Sequence, residues 1–498
     1  MIVLPPQLAR SWEEKSLQGG ARIKDLMRQA VAGALRELQP FLPKPSTALI
    51  LVGPGHNGDD AFLLGLELKE LGWEVDFLLS RNPTRRTHPD SRVKLKHWKK
   101  ALIWPAKSSR FLKTKAPRLV IDGLLGLGAT PPPRPAEAAI LNWISNEKRN
   151  SDLYVALDLP SGLNPTSGAT PGAIFPADLT LALGCVKSGC LKDSALPHVG
   201  LLRGVPIEFT TPPPKSSVDF FLPQEAYSIL RSRPSTLHKR SAGVVHLWAG
   251  SSEYPGAATL TSLGALRSGA GYVRLFTDRS LTPALATSLP ELLLHPLNSN
   301  EAPPIQEFLQ GASTLIVGPG LPPTTALHAF LTQLIPQSKV PIVLDAGALE
   351  ILARDSKIIS SATAPLLLTP HAGELARLLG NPIQDRADAA QLWLKSFPNT
   401  LLVAKGPHSL VATKDHPLSF NSTGGPAQST AGMGDLLAGL LGGLLALGYP
   451  PFDAARIAVC WHGLASDQAL EAGGPSTLAT DLVRTLPSSW RFLKGCAV

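Results

Sequence analysis

The chain has 498 residues, of which 44% are hydrophobic and 17% charged, and it carries a net charge of +9; this is too long for one core and rich enough in apolar residues for two. Cys185, Cys190, Cys460 and Cys496 show no CxxC pairing and no adjacent histidine set, which excludes a zinc site or a disulfide scaffold and suits a reducing compartment. The positive excess falls within residues 1–217 and is densest from Arg81 to Lys115, around Trp98, Trp104 and Phe111; a solvated basic face, or a field that draws in an anionic small molecule, is preferred there to a nucleic-acid surface.

In chain order, apolar residues from Leu17 to Leu38 recur at helical spacing. The all-apolar run 48–52 reads as a buried parallel strand, and it flows through Gly53-Pro-Gly-His-Asn-Gly-Asp-Asp60 into a helix over 61–71. A second strand follows at 74–79. Strand, glycine-rich loop and helix form the unit that receives phosphates in doubly wound folds. Two further strands end in aspartates, at Asp122 before Gly123-Leu-Leu-Gly-Leu-Gly128 and at Asp158 before Leu159-Pro-Ser-Gly162. Three strand ends thus carry Asn57, Asp59 and Asp60, then Asp122, then Asp158 and Ser161. Any one of these groups could merely cap a turn; together they make a site.

These motifs, with Thr180-Leu-Ala-Leu-Gly184 and Lys187, resemble the N-terminal epimerase domain of the bifunctional NAD(P)H-hydrate repair enzymes over roughly residues 10–212. The resemblance implies interconversion of the R and S epimers of hydrated NAD(P)H, with potassium at Asn57, Asp122 and Ser161. It also implies substrate contacts at His56, Asn57, Gly58, Asp59, Asp60, Gly126, Leu127, Gly128 and Asp158, and a catalytic role for Asp60. Asp59 and Ala61 stand where the family has glycines, Leu127 stands where it has threonine, and Arg28 replaces a glutamate on the first helix. At a loop approached closely by substrate, each added Cβ takes up room.

Thr210-Thr-Pro-Pro-Pro-Lys-Ser-Ser217 marks a domain boundary. Residues 1–212 are expected as one domain, 213–233 as linker and entry segment, and 234–498 as a second domain. Beyond the linker, strands ending near Gly250, Gly320, Asp345, Thr369 and Lys405 alternate with helical segments, as in a parallel doubly wound sheet. The run from Gly425 to Gly443, GPAQSTAGMGDLLAGLLGG, leads small residues into Asp435 and an apolar helix. The start of such a helix aims unpaired N–H groups at an anion, and a carboxylate in its first turn can act as a base on a bound hydroxyl.

The second half resembles the dehydratase domain of the same enzymes, which is ribokinase-like. The resemblance rests on Pro255-Gly-Ala257, Gly318-Pro-Gly320, Thr369-Pro-His371 with Glu374, Lys405-Gly406, Ala431-Gly-Met-Gly-Asp435 and Trp461-His-Gly463. It implies two doubly wound α/β domains, a Rossmann-like three-layer sandwich followed by a ribokinase-like domain. It implies ADP- or ATP-driven dehydration of the S epimer, with Asp435 as base, the hydrate touched by Ala257, Gly320, His371 and Asp435, and the nucleotide touched by Lys405, Gly406, Pro407, His408, Ser409 and Gly434. A magnesium ion, NADHX or NADPHX as substrate, a homo-oligomer, a cytoplasmic location, and no nucleic-acid or membrane partner complete the expectation. A vitamin-alcohol kinase fused to a non-catalytic nucleotide-binding module is the alternative.

Overall fold

The computed structural model describes residues 1–82, 101–232, 234–236, 238–299 and 301–495. Most of the basic stretch Arg81–Lys115, including Trp98, lies outside them, as does Cys496. The described chain divides into two units, Met1–Phe220 and Phe221–Val498.

The first unit is built on a seven-stranded parallel sheet. Its strands are β1 (Thr47–Val52), β2 (Glu74–Leu79), β3 (Leu102–Ile103), β4 (Leu119–Gly123), β5 (Leu153–Leu157), β6 (Leu179–Leu183) and β7 (Leu201–Val205), in the spatial order 3-2-1-4-5-6-7. Every residue of β1 and β4 is buried, because helices cover both faces of a parallel sheet and leave no polar face. The expected helix over 17–38 is two helices, α1 (Pro6–Gln18) and α2 (Ile23–Leu38). The break falls at Gly19 and Gly20, the latter with φ of +97°. The third helix, α3 (His56–Glu70), starts five residues earlier than the apolar pattern suggests. The polar loop residues His56 to Asp60 therefore form its first turn.

In the second unit the strands are β8 (Val244–Trp248), β9 (Tyr272–Asp278), β10 (Leu293–Leu297), β11 (Thr314–Val317), β12 (Ile342–Leu344), β13 (Leu366–Leu368), β14 (Thr400–Ala404), β15 (Leu410–Ala412) and β16 (Leu418–Asn421). They lie in the order 16-15-14-13-12-11-8-9-10, parallel except for the antiparallel steps from 14 to 15 and 15 to 16. The hairpin of β15 and β16 was not visible in the βα alternation. Residues 213–233, expected as linker, contain a short strand at Val218–Phe221 and a helix at Pro223–Ile229. Among the described residues no helix is long and apolar enough to cross a membrane.

The helices that position the second site are α4 (Pro255–Ser268) and, later in the chain, α5 (Met433–Ala446). The apolar run of the sequence is α5, whose residues from Leu436 to Ala446 are all buried. It packs on α4 backbone to backbone. A Cβ built on Gly439 would fall 2.1 Å from the Thr261 carbonyl oxygen, and one on Gly264 would fall 2.3 Å from that of Leu436. These glycines let the two helix axes come closer than side chains would allow. Gly439→Ala is expected to destabilise the second unit by about 3 kcal/mol through overpacking, read as a lower urea midpoint; an unchanged midpoint would show that the contact has slack.

Candidate active sites

In the first unit a cleft of about 830 Å3 opens at the carboxyl ends of the strands, lined by α1, the start of α3 and the loops after β4, β5 and β6. Asn57 lines this cleft, and Leu125 links it to a buried Asp122–Ser161 pair: the Leu125 carbonyl accepts from Asn57 Nδ2 and its amide donates to Ser161 Oγ at 2.9 Å. Asp122 is fully buried; Ser161 Oγ donates to its Oδ1 at 2.7 Å and Ser161 N to its Oδ2 at 2.8 Å. Burial lifts this carboxyl to a pKa of about 6, against the hydrogen bonds from Ser161 and Leu124. Asn57 Nδ2 donates to the carbonyls of Leu125 (2.9 Å) and Leu157 (3.1 Å). That leaves its Oδ1 buried with no partner among the described residues.

On another side of the cleft, Lys187 is 2% exposed and donates to the Asp158 carboxylate and to the carbonyls of Leu183 (3.1 Å) and Cys185 (2.9 Å). Burial works against this ammonium, but Asp158 outweighs it and keeps the lysine charged. Asp158 has φ of +68°, a conformation rare outside glycine and one that clusters at functional sites. Asp60 lines the same cleft with its Oδ1 buried and unpartnered among the described residues. Burial raises its pKa well above the carboxylate range, with Asp59 and Asp158 adding to the effect. At the mouth His56 Nδ1 lies 3.7 Å from Glu13 Oε1, and the contact raises the histidine and lowers the glutamate.

One substitution in the loop finds room in the fold. Ala61 is buried, and a Cβ on the facing Gly123 would come within 2.3 Å of its methyl group. Gly123 supplies the space that the missing glycine at 61 would have given. Leu127, Gly126 and Gly128 all line the cleft, and the Leu127 carbonyl accepts from Arg10 Nη2 at 2.9 Å.

In the second unit Gly432, at φ of +86°, turns the chain into α5 and sets Gly434 and Asp435 in its first turn. Lys405, just beyond β14, reaches the same place. A Cβ on Gly434 would lie 3.2 Å from Lys405 Nζ and 3.8 Å from Asp345 Oδ2. Lys405 Nζ pairs with Asp345 Oδ1 at 2.7 Å and lies 3.8 Å from Glu374 Oε2. Burial lifts Asp435 to a pKa of about 6, Asp345 adds to that, and Lys405 opposes it.

His371 is exposed and caps the helix Ala372–Leu379. Its Nδ1 accepts from the amides of Gly373 (3.0 Å) and Glu374 (3.3 Å), and the Glu374 carboxylate accepts from His371 N in return. The ring nitrogen that accepts carries no proton, so Nε2 is the donor. Gly320 and Ala257 are neighbours: a Cβ on Gly320, whose φ is +65°, would fall 2.5 Å from the Ala257 methyl. The Gly406–Ser409 turn is braced by Arg386 Nη2 on the Pro407 carbonyl (2.6 Å) and Ser409 Oγ on the Gly406 carbonyl (3.1 Å). His408 is buried, its ring Nδ1 lying 3.1 Å from the Asn421 carbonyl oxygen.

Residues 23–189 match the family model described as YjeF-related protein N-terminus, and residues 245–488 match that of NAD(P)H-hydrate dehydratase. A bifunctional NAD(P)H-hydrate repair enzyme of Gloeobacter violaceus is 34% identical over 466 residues, covering 90% of this chain and 89% of its own. The chain belongs to the bifunctional NAD(P)H-hydrate repair enzymes. The repair enzyme of Escherichia coli is 30% identical, covering 94% of this chain and 89% of its own. A solved ribokinase-like superfamily protein of Enterococcus faecalis, 24% identical with a TM-score of 0.51, covers 57% of this chain and 99% of that one. The second half thus has the ribokinase-like fold expected of this family.

Sequence motifs did not single out Glu13, which sits on the unrecognised helix α1, or the role of Asp345, although its place at a strand end could have marked it. Replacing Lys187 by Met would strand the Asp158 carboxylate without its cation. The repair-enzyme chain carrying Lys187→Met is expected to lose about 3–5 kcal/mol of first-unit stability, measured by denaturant unfolding; a loss below 1 kcal/mol would mean the pair is solvated.

Proposed function

We propose that the second unit dehydrates the S epimer of NADHX or NADPHX at the expense of ADP or ATP, and that the first unit interconverts the R and S epimers. What carries the first part is the meeting of Asp435, Gly434 and Lys405 at the start of α5, a base, an amide cradle and a cation at one point. Hydroxide is a poor leaving group, so the ring hydroxyl is phosphorylated first. Asp435 takes the hydroxyl proton as the oxygen attacks the terminal phosphorus, and the bond from that phosphorus to the nucleotide's bridging oxygen breaks. Phosphate then leaves with the C–O electron pair, pushed by the ring nitrogen, and loss of the neighbouring C–H proton restores the double bond. The amides around Gly432–Gly434 and the dipole of α5 stabilise the transferring group.

Lys405, Gly406, Pro407, His408, Ser409 and Gly434 are the nucleotide positions in this reading, and Ala257, Gly320 and His371 join Asp435 around the hydrate. The His371 Nε2, 3.6 Å from Glu374 Oε2, is the ring nitrogen that can donate to it. A magnesium ion bound with the nucleotide would neutralise phosphate charge.

In the first unit Asp60 is the proton-handling group. Burial favours the protonated form of its carboxyl, with Asp59 and Asp158 adding to the effect, and that form can give its proton to the hydrated ring. His56 to Asp60, Gly126 to Gly128 and Asp158 surround the substrate in this reading. Asn57 and the Asp122–Ser161 pair, linked through Leu125, offer oxygen atoms, among them an orphaned amide oxygen and a carboxylate with no cationic hydrogen-bond partner among the described residues. Such a set suits a hard cation of low charge, and potassium fits it. When bound, that ion would balance the Asp122 charge and fix the start of α3 at Asn57.

Asp435→Asn should slow recovery of reduced-nicotinamide absorbance from S-NADHX at least 10²-fold. In the parent enzyme the rate should fall as pH drops through about 6, where Asp435 takes up its proton; an unimpaired variant would remove Asp435 as the base. For the first unit, mixing R-NADHX with Asp60→Asn should leave the epimer ratio drifting at least 10²-fold more slowly than with the parent. If the parent also leaves the ratio unmoved, the first unit binds without turning over.

A further inference from the structure

The second unit holds a charged cluster built from the ends of three adjacent strands. Asp345 follows β12, Thr369 follows β13 and Lys405 follows β14. Asp345 is 2% exposed, and its Oδ1 receives both Lys405 Nζ (2.7 Å) and Thr369 Oγ1 (2.8 Å). Its Oδ2 is turned the other way, toward Gly434. The next residue, Ala346, has φ of +46°, a strained conformation for a residue with a side chain, and it begins the helix Gly347–Arg354. The chain thus holds Asp345 in place by strain on one side and a threonine hydrogen bond on the other.

We propose that Asp345 is the positioning residue of the phosphoryl-transfer centre: it clamps the Lys405 ammonium beside Gly434, where the transferring phosphoryl group lies, and keeps that ammonium from pairing with Asp435. This rests on the dehydratase reading above. The physical need is specific. A lysine on a flexible four-carbon stem beside a catalytic carboxylate would form an ion pair with it, and the base would lose its affinity for the hydroxyl proton. Asp345 competes for that ammonium at 2.7 Å, with Glu374 as a second acceptor at 3.8 Å. The lysine is therefore held as a donor to phosphate oxygen, and Asp435 remains a base for the proton that the attacking hydroxyl releases.

The charged groups about Asp435 are Asp345 after β12 and Lys405 after β14, with Glu374 behind Lys405. Asp345 disfavours ionisation of Asp435 and Lys405 favours it. Removing the Asp345 charge therefore shifts Asp435 toward lower pKa on both counts, since the freed ammonium turns to it.

The test uses the full chain with S-NADHX and ADP or ATP. Asp345→Asn should lower the maximal rate on the order of 10²-fold and shift the acid limb of the rate profile to lower pH, with nucleotide affinity changed no more than about threefold. Lys405→Gln and the double variant Asp345→Asn/Lys405→Gln complete a cycle. If Asp345 acts through Lys405, the double variant is no slower than Lys405→Gln alone. Additive losses, or an acid limb that stays in place in Asp345→Asn, would overturn the proposal. Should Asp345→Asn fail to fold, Thr369→Val removes one of the two groups that aim Asp345, and it should move the limb in the same direction by less; no movement overturns the proposal equally. Failure of the dehydratase reading itself would look different, since the parent would not recover NADH and Asp435→Asn would match it.

Discussion

The close backbone packing of α5 on α4 sets what the second unit can do. A helix start binds an anion only if it points at the place where the rest of the site converges, and a helix displaced by one side-chain thickness would miss it. Gly264 and Gly439 remove that thickness. The contact brings Gly432 to Asp435 to the carboxyl ends of the strands, where Asp345, Thr369 and Lys405 already project. The glycines near the end of the apolar run are thus as much a part of the chemistry as those at its start. The first group fixes where the helix lies, and the second lets it be approached.

Both units bury carboxyl groups at strand ends, but they manage the charge in different ways. In the second unit Asp345 has an ammonium at 2.7 Å, and a buried pair of this kind tolerates burial because each charge is answered. The first unit divides its carboxyls. Burial raises the pKa of all three; for Asp158 Lys187 opposes the rise, whereas Asp60 and Asp122 have no cation in hydrogen-bond contact among the described residues. Two buried carboxyls in one cleft, one beside an ammonium and one without, have their proton affinities pushed apart, and acid and base roles can be drawn from such a pair.

Much of this was legible in the sequence, and the parts that were not share a cause. Strands such as β1 and β4 announce themselves because burial on both faces forces an all-apolar run. The strand-end groups Asn57, Asp122, Asp158 and Ser161 follow from that assignment, since the carboxyl ends of parallel strands share one edge. The boundaries of α3 did not follow. Its first turn is polar because it faces the cleft, so an apolar period cannot see it. Nor could the pattern give α1, whose mean character is too polar to stand out, or Glu13 upon it. The pairings of Lys187 with Asp158 and of Lys405 with Asp345 join residues 29 and 60 apart. Only the register of the sheet brings them together.

The loop substitutions show why residue type at one position is weak evidence of lost function. Ala61 in place of a glycine would obstruct the cleft if its methyl group pointed outward. It points instead into the space above Gly123, where no Cβ exists to meet it. What decides the outcome is the sum of the volumes at the two facing positions, and that sum is small. Asp59, by contrast, adds charge as well as volume. It lies in the first turn of α3, where the helix dipole favours a carboxylate, and its charge adds to the burial that raises the Asp60 pKa. Read through volume, the change at 61 is absorbed by the fold. Read through charge, the change at 59 strengthens the protonated state that a proton-donating Asp60 requires.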